Sequence, residues 1–344
     1  MRQESYFRKT ERHTRSKSPD SPAAVWKEKE SLRGKPVDAG VVILRTSGCS
    51  HFHSGGCSMC GYNTESSRGI APGDVLKQFE HATAELGEVC MIKLYTSGSF
   101  LDACEVPEET AGSILKSCSD RGVRLLFESR PEYIIPGRMD SVLGTHEDIE
   151  VAIGLESSND RVLRYSINKG FTVGDFDAAA AVLKERSVDL RSYVLLKPPY
   201  LTEAEAIADA VSTVKHAAAV SSTVSINPVN VQKGTAVEKL WRNWAYRPPW
   251  LWSVLEVLRA SASNGKRVVC DPTGGGKERG AHNCIECDDV ILHGIKAFSQ
   301  SQDISRLGAP ECSCKELWRS LLDLEGYVVG GTCDLQRFFR KHRA

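Results

Sequence analysis

Residues 41–63, VVILRTSGCSHFHSGGCSMCGYN, join a short apolar run to a glycine-rich loop that carries three cysteines. The run VVILRT is rich in β-branched residues, which is typical of a buried strand. Similar runs recur along the chain, and patterns of about 12 residues with helical periodicity separate them. The five further runs begin at Val89, Val123, Ile149, Val188 and Thr223.

This alternation predicts an α/β protein with parallel strands and covering helices, arranged as a partial (β/α)6 barrel. In such a barrel the functional groups lie at the carboxyl ends of the strands. We therefore expect the site at this end, where polar segments with glycine or proline follow the predicted strands. These segments are TSGSF at 96–100, ESRPE at 128–132, GLESSND at 154–160, LLKPPY at 195–200 and NPVNVQ at 227–232.

Composition predicts a soluble, cytoplasmic protein with one large domain and a small extension. The chain has 344 residues, is 41% hydrophobic, and balances 44 basic against 44 acidic residues. No apolar run approaches the roughly 20 residues of a membrane helix, and we expect no membrane partner. The expected parts are a basic flexible N-terminal arm (1–35), the barrel (36–232), and a C-terminal helical extension with a Cys/His cluster and a basic tail (233–344).

Cys49, Cys57 and Cys60 form a Cys-x7-Cys-x2-Cys pattern in the first loop. A two-residue gap lets paired thiolates bind one metal centre, and the glycines let the third thiolate fold back onto it. Three thiolates on a four-iron cluster leave one iron open for another ligand. His51 and His53 could add a nitrogen ligand, so a zinc site is the alternative.

A second group of cysteines predicts a tetrahedral zinc site that staples the C-terminal extension. Its members are Cys284, Cys287, Cys312 and Cys314. His282 or Cys270 could replace one of them, and a second iron–sulfur cluster or no metal are the alternatives. The isolated cysteines are expected to be small buried apolar residues. They are Cys90, Cys104, Cys118 and Cys333.

Basic residues at both ends of the chain could contact RNA phosphates, with aromatic residues in the tail available for stacking. The alternative is a pair of solvated tails. The N-terminal set is Arg8, Lys9, Arg12, Arg15 and Lys17, and the C-terminal set is Arg337, Phe338, Phe339, Arg340, Lys341 and Arg343. Four tryptophans are expected to pack between helices in the core. They are Trp241, Trp244, Trp250 and Trp252.

Eight motifs together resemble the radical S-adenosylmethionine (SAM) protein family of archaeosine synthesis, RaSEA. They are GCSMCGYN, YTSGSFLD, ESRPEYI, GLESSNDRVL, INKGFT, LLKPPYLTEAEAI, NPVNVQKGT and YRPPWLWS, and the resemblance covers residues 26–318. It implies a radical SAM barrel in which Cys49, Cys57 and Cys60 hold a [4Fe–4S] cluster whose open iron binds SAM. Two features depart from the general radical SAM pattern: the first gap has seven residues instead of three, and Met59 replaces an aromatic residue.

The resemblance also implies a reaction and its partners. One electron, from an electron donor, would cleave SAM to a 5′-deoxyadenosyl radical. The substrate would be tRNA with a lysine-modified 7-deazaguanine at position 15, made by a partner lysine transferase. Cleavage of the C–N bond in the lysine part would leave archaeosine. Two alternatives are a radical SAM enzyme with another tRNA reaction and a non-catalytic zinc protein that binds RNA.

Contacts to SAM are implied by position in these motifs. Gly98 and Ser99 would hold the SAM amino group, although Ser99 stands where the family has an acid. Four residues would reach the ribose or the methionine end, with salt bridges at the barrel mouth as their alternative role. They are Glu128, Arg130, Glu156 and Ser157. Lys197 and Asn227 could face adenine or the substrate.

Overall fold

The computed structural model describes residues 18–62, 66, 69–262 and 265–325. Eight strands form one sheet, in which each strand pairs with its neighbours in chain order. The first two strands are antiparallel, and all later neighbours are parallel. The strands are β1 (Ala24–Leu32), β2 (Lys35–Ile43), β3 (Met91–Tyr95), β4 (Arg124–Glu128), β5 (Ile149–Glu156), β6 (Asp189–Leu196), β7 (Thr223–Pro228) and β8 (Arg267–Cys270).

The two edge strands approach each other at one end of the sheet. Arg267 of β8 lies 3.6 Å from Glu30 of β1, so the sheet curls into a partial barrel. The prediction of an α/β partial barrel is confirmed: the six predicted strands are β2 to β7, and β8 extends the parallel series.

Ten α-helices accompany the strands in the described part of the chain. They are α1 (Ser50–His53), α2 (Pro72–Leu86), α3 (Glu108–Arg121), α4 (Pro136–Thr145), α5 (Val173–Glu185), α6 (Glu203–Ala218), α7 (Ala236–Arg242), α8 (Leu251–Ser261), α9 (Asp288–Ser301) and α10 (Cys314–Glu325). Thr172 and Thr202 begin α5 and α6, where each hydroxyl accepts a hydrogen bond from a backbone amide of the first turn. Within the described residues, none of these helices is both long and apolar enough to cross a membrane.

Alternation along the strands divides the sheet into two faces. Ile92 and Leu94 of β3 point to the main core, which the helices cover. Met91 points the other way and packs with Leu126 and Ala152 in a small apolar cluster on the concave face. Because both faces are buried, apolar residues such as Met91 and Ile92 follow one another directly along a strand.

Strand β1 corrects the prediction that residues 1–35 form a flexible arm. Its sequence AVWKEKESL lacks apolar alternation, yet Ala24–Leu32 pairs along its whole length with β2. The inward residue Glu30 is 8% exposed and pairs with buried cations. An ion-paired glutamate thus occupies an inward position of β1, where a strand predicted from its sequence would have an apolar residue. The basic residues of the predicted arm, at positions 8–17, lie outside the described residues.

Charged side chains fill the concave face at the end of the barrel opposite the cysteine loop. Glu30 lies 2.5 Å from Lys93 and 3.2 Å from Arg191, and Glu150 lies 2.8 Å from Arg191. Burial opposes ionisation of Glu30, but Arg191 and Lys93 lower its pKa to about 2. We call this network the charged floor. It comprises Glu28, Glu30, Lys93, Arg124, Glu150, Arg191 and Arg267.

Candidate functional site

The cysteine loop follows the carboxyl end of β2, at the mouth of the barrel. Cys49, Cys57 and Cys60 are all half-buried and form no disulfide. Gly55 and Gly56 have φ angles of 128° and 67°, which glycine adopts at little cost. They turn the chain back after α1, so that Cys57 and Cys60 return to the side of the barrel where Cys49 starts the loop.

A π-helical turn, Val162–Ile167, holds the cysteine loop from the neighbouring β5–α5 connection. The backbone amide of Ser58 donates to the Ile167 carbonyl at 2.8 Å, and the Ser58 hydroxyl donates to the Ser166 carbonyl at 2.8 Å. The Asn168 side-chain amide donates to the Gly56 carbonyl at 2.7 Å. Two motifs that are far apart in sequence, GCSMCGYN and INKGFT, therefore meet at one place.

His51 is engaged by the same turn. Its Nε2 lies 2.7 Å from the carbonyl oxygen of Asn168. Gly170 passes so close to the imidazole that a Cβ there would lie 2.4 Å from His51 Cε1. Among the residues that the structure describes, neither His51 nor His53 joins a group of three or more potential metal ligands.

The TSGS segment packs directly on the first cysteine. A Cβ on Gly98 would lie 2.7 Å from Cys49 Cβ and 2.8 Å from its sulfur, so only glycine fits there. The buried carboxylate of Glu105 accepts hydrogen bonds from the amides of Ser97 (2.7 Å), Gly98 (3.0 Å) and Ser99 (2.6 Å). Sequence reasoning missed Glu105, because an acid in a loop gives no sign that it binds backbone amides.

Glu156 and Lys169 form a buried ion pair beside the cysteine loop. The Lys169 ammonium lies 2.9 Å from Glu156 Oε1, and a Cβ on Gly154 would lie 2.5 Å from that oxygen. Burial raises the pKa of the Cys57 thiol, and Lys169 acts in the opposite direction on it. Glu156 has a left-handed φ of 66°, an uncommon conformation that clusters at functional sites. Lys169 is a second residue missed from the sequence, although it lies in INKGFT.

Arg130 and Glu128 complete the polar mouth at the end of β4. The Arg130 guanidinium donates to the Lys169 carbonyl at 3.0 Å and lies 5.2 Å from the Phe171 ring centroid. Burial raises the pKa of Glu128 to about 7, while a hydrogen bond with Tyr193 opposes the rise. The mouth thus combines a fixed cation with a carboxyl that is protonated part of the time near neutral pH.

The other predicted contact residues have structural partners. The Ser99 hydroxyl is buried and accepts from the Arg130 amide at 2.9 Å. The buried Ser157 hydroxyl donates to Asp209 of α6 at 2.8 Å. Lys197 forms a buried ion pair with Glu203 at 2.5 Å. Asn227 is half-buried and accepts from Ser225 of β7 at 3.1 Å.

The second group of cysteines converges as its spacing predicts. Cys284, Cys287, Cys312 and Cys314 have sulfur atoms that all lie within 4.8 Å of one another. The shortest separations are 3.4 Å for Cys284–Cys312 and Cys312–Cys314 and 3.6 Å for Cys287–Cys314. Four sulfurs around one zinc ion at about 2.3 Å are about 3.8 Å apart. The four thiols therefore have the spacing of ligands to a single tetrahedral ion.

Two side chains donate hydrogen bonds to these sulfurs. Trp252 Nε1 donates to Cys314 at 3.2 Å, and Asn283 Nδ2 donates to Cys287 at 3.3 Å. Such donors stabilise thiolates and orient metal ligands. The two alternates, His282 and Cys270, lie outside this group of four, and His282 Nδ1 bonds the Gly280 carbonyl.

Some expectations about isolated residues need correction. Cys118 is buried as predicted, but Cys90 and Cys104 are exposed. Trp250 and Trp252 lie in the core, whereas Trp244 is 93% exposed. Trp244 follows the end of α7 at Arg242, outside the predicted packing between helices. Cys333 and the basic, aromatic tail at 337–343 lie outside the described residues.

Comparison with known proteins gives relatives across nearly the whole chain. No family model matches. Among solved structures, methylornithine synthase has a TM-score of 0.48 at 13% identity, with 65% of this chain and 61% of that chain covered. An N-terminally truncated Elp3 of Methanocaldococcus infernus has a TM-score of 0.44 at 17% identity, covering 59% of this chain and 52% of that chain.

Two curated sequences are much more similar. Archaeosine synthase subunit beta of Methanosarcina acetivorans is 39% identical over 320 residues, which are 90% of this chain and 92% of that protein. Archaeosine synthase subunit beta of Thermococcus kodakarensis is 36% identical over 313 residues, which are 87% of this chain and 96% of that protein. At this identity and coverage, the chain belongs to the archaeosine synthase subunit beta family.

Proposed function

We propose that this protein is a radical SAM enzyme that acts on tRNA in archaeosine synthesis. The observation that carries the proposal is the glycine-rich loop with Cys49, Cys57 and Cys60 at the barrel mouth, packed against Gly98. The names of the relatives supply the pathway. The finer step, cleavage of the C–N bond of the lysine-modified 7-deazaguanine, is part of the same proposal.

The residues of the first loop fit a [4Fe–4S] cluster that keeps one iron open. The loop supplies three thiols, one fewer than the second group, and all three are half-buried at the mouth of the barrel. Three thiolates on a four-iron cluster leave one iron free to bind another ligand. When bound, the cluster and SAM would supply one-electron cleavage of SAM and an adenosyl radical.

The side chains of the mouth would bind and orient SAM. Arg130 offers a planar donor group for the methionine carboxylate, and the Lys169 carbonyl holds this guanidinium in place. Glu128 and Glu156 offer acceptors for the ribose hydroxyls or the amino group. Ser99 and Ser157 would contribute by holding Arg130 and α6 in position, since their hydroxyls are buried in those contacts. Lys197 and Asn227 remain candidates for the far end of SAM or for the substrate.

The test uses the full chain after anaerobic reconstitution with iron and sulfide. Protein, dithionite and SAM are incubated with or without tRNA bearing the lysine adduct, and 5′-deoxyadenosine and the modified base are measured by mass spectrometry. We expect 5′-deoxyadenosine in an amount that matches the archaeosine formed. The partner lysine transferase, which would make the adduct, and a physiological electron donor are added in parallel reactions.

Two results would contradict parts of the proposal. Formation of 5′-deoxyadenosine with an unchanged base, with the partner present, would discard the C–N lyase step and retain radical SAM chemistry. A chain that binds only zinc at both cysteine groups would discard the enzyme and favour a zinc protein that binds RNA.

We also propose that Cys284, Cys287, Cys312 and Cys314 bind a structural zinc ion. The thiol spacing and the donors Trp252 and Asn283 support a closed site with four protein ligands. A tetrahedral S4 set also suits a single iron, so metal analysis of the purified chain must distinguish the two. Zinc at one equivalent per chain is the expected result.

The zinc would fix α10 to the barrel. Cys314 begins α10, and Glu325 at its last position accepts hydrogen bonds from the amides of Glu203 (2.9 Å) and Ala204 (2.8 Å). These amides lie at the amino end of α6, and Glu203 pairs with Lys197 just after β6. These contacts would connect the zinc site, through α10 and Glu203, with Lys197.

A further inference from the structure

Trp244 exposes 93% of its surface and has a left-handed φ of 58°. Such a conformation is uncommon for a bulky residue, and an exposed indole gains nothing from the core. We propose that Trp244 is a stacking platform for a nucleobase of the RNA substrate. This inference rests on the proposed function, because it takes tRNA to be the substrate.

Trp244 lies just past the end of α7, and α7 sits at the rim of the candidate site. The Val237 amide in its first turn donates to the carbonyl of Ser58 at 3.2 Å, within the cysteine loop. The chain before α7 also touches this loop, since a Cβ on Gly61 would lie 2.7 Å from Gln232 Cβ. The start of α7 therefore contacts the cysteine loop, and Trp244 follows the other end of this short helix.

Several basic residues lie on α7, just before it, or beside Arg279 in the chain, and we call them together with Trp244 the α7 rim. Arg279 lies 4.7 Å from the Trp241 ring centroid, and the Trp244 amide donates to the Trp241 carbonyl at 3.1 Å. The acid Glu238 is already paired with Arg242 and Arg279, and the exposed Glu278 is a second acid nearby in sequence. The α7 rim comprises Lys233, Lys239, Arg242, Trp244, Lys277 and Arg279.

This combination fits single-stranded or unstacked RNA better than a protein partner. Cations of the α7 rim can neutralise phosphates without reading sequence, and an exposed indole stacks on any base. Enzymes that act on a base in structured nucleic acid must take it out of its stack. A platform at the mouth would hold a base next to the one that enters the site.

The test measures binding of a fluorescein-labelled tRNA transcript to the full-length protein by anisotropy, as a function of salt. Trp244→Leu keeps an apolar side chain and removes the ring, and we expect affinity to fall about 5- to 150-fold. Trp244→Phe keeps a ring and should recover much of this loss. Neither change should alter the salt dependence, because no cation is removed.

Two matched variants complete the design. Lys239→Gln removes an exposed cation of the α7 rim and should reduce the slope of log K against log salt by about 0.7–0.9. Val290→Ala shortens an apolar side chain that is 58% exposed on α9 and should leave binding unchanged.

Each contrary outcome has a separate meaning. Equal affinities of the wild type and both Trp244 variants would overturn the platform and leave the proposed function intact. If Trp244→Leu instead released the partner transferase with tRNA affinity unchanged, the α7 rim would be a protein interface and the inference would fall. Trp244-dependent tRNA binding by a chain that forms no 5′-deoxyadenosine would support the platform while the proposed function failed.

Discussion

The two groups of cysteines differ in almost every respect except residue type. Cys49, Cys57 and Cys60 lie on one loop at the mouth and supply three half-buried thiols. Cys284, Cys287, Cys312 and Cys314 come from two segments, and their sulfurs approach to 3.4–3.8 Å. An open set of three suits a centre that binds another ligand, and a closed set of four suits a centre that only holds the fold.

The side chains around the open group of three cysteines also differ from those around the closed group of four. Ionic and polar groups face the first loop, among them Lys169, Glu156 and Arg130. Indole and amide donors contact the second group directly, and buried α8 and α10 side chains pack beside it. In our proposal, the open group of three thiols is the reactive one and the closed group of four is structural.

The largest expected effect is on chemistry. Cys57→Ala should abolish 5′-deoxyadenosine formation and lower iron content, because two thiolates cannot hold the cluster as three do. Zinc content should be unchanged, and the free energy of unfolding should fall by no more than about 1 kcal/mol. Iron and zinc are measured by mass spectrometry. Cys90→Ala, at an exposed cysteine outside both groups, is the control, and full activity of Cys57→Ala would refute the ligand assignment.

The second group should respond in the opposite way. Cys287→Ala should remove zinc and lower the free energy of unfolding by at least about 3 kcal/mol, because metal binding free energy contributes directly to folding. Iron bound per folded chain should be retained. Cys270→Ala is a matched control, since both thiols are 3% exposed and only Cys287 belongs to the group. Equal losses in the two variants would mean that packing, and not metal, explains the effect.

A variant in the charged floor should destabilise the protein without removing metal, and it therefore distinguishes general destabilisation from loss of zinc. Glu30→Gln leaves Lys93 and Arg191 without their shared carboxylate. Removing one partner of a buried ion pair lowers the free energy of unfolding by about 3–5 kcal/mol. The loss should be smaller here, because Glu28 and Glu150 remain as partners of the two cations. Both metals should stay bound at neutral pH. Loss of zinc in this variant would show that the second group cannot be tested by stability alone.

The effect of Glu30→Gln on the free energy of unfolding should depend on pH. The pKa of Glu30 falls from 4.5 to about 2 on folding, so its stabilisation is complete above pH 4.5 and is lost as the pH drops towards 2. The difference in unfolding free energy between wild type and Glu30→Gln should therefore shrink across this range. Denaturant unfolding curves at several pH values measure it. Glu28→Gln, at a more exposed acid of the charged floor, should show a smaller difference, and a constant difference for Glu30→Gln would contradict the assignment.

Sequence predicts what depends on spacing and periodicity, and this covers most of the barrel. The predicted strand that begins at Ile149 is β5, and the spacing of Cys284 and Cys287 predicts their convergence with Cys312 and Cys314. Strand β1 escapes prediction because its inward residue is the ion-paired Glu30. Glu105 and Lys169 escape because their partners are backbone amides and a distant carboxylate. Such contacts depend on the fold as a whole and leave no local pattern.

The charged floor has a consequence for how this family can change over evolutionary time. Glu30 is shared by Lys93, Arg191 and Arg267, so a neutral replacement at one of these positions leaves a buried charge unbalanced. An apolar core accepts single conservative exchanges, whereas these positions can change only in compensating pairs or triplets. Among relatives, substitutions at these four positions on β1, β3, β6 and β8 should therefore covary. The sequence of the charged floor should change more slowly than that of the apolar core.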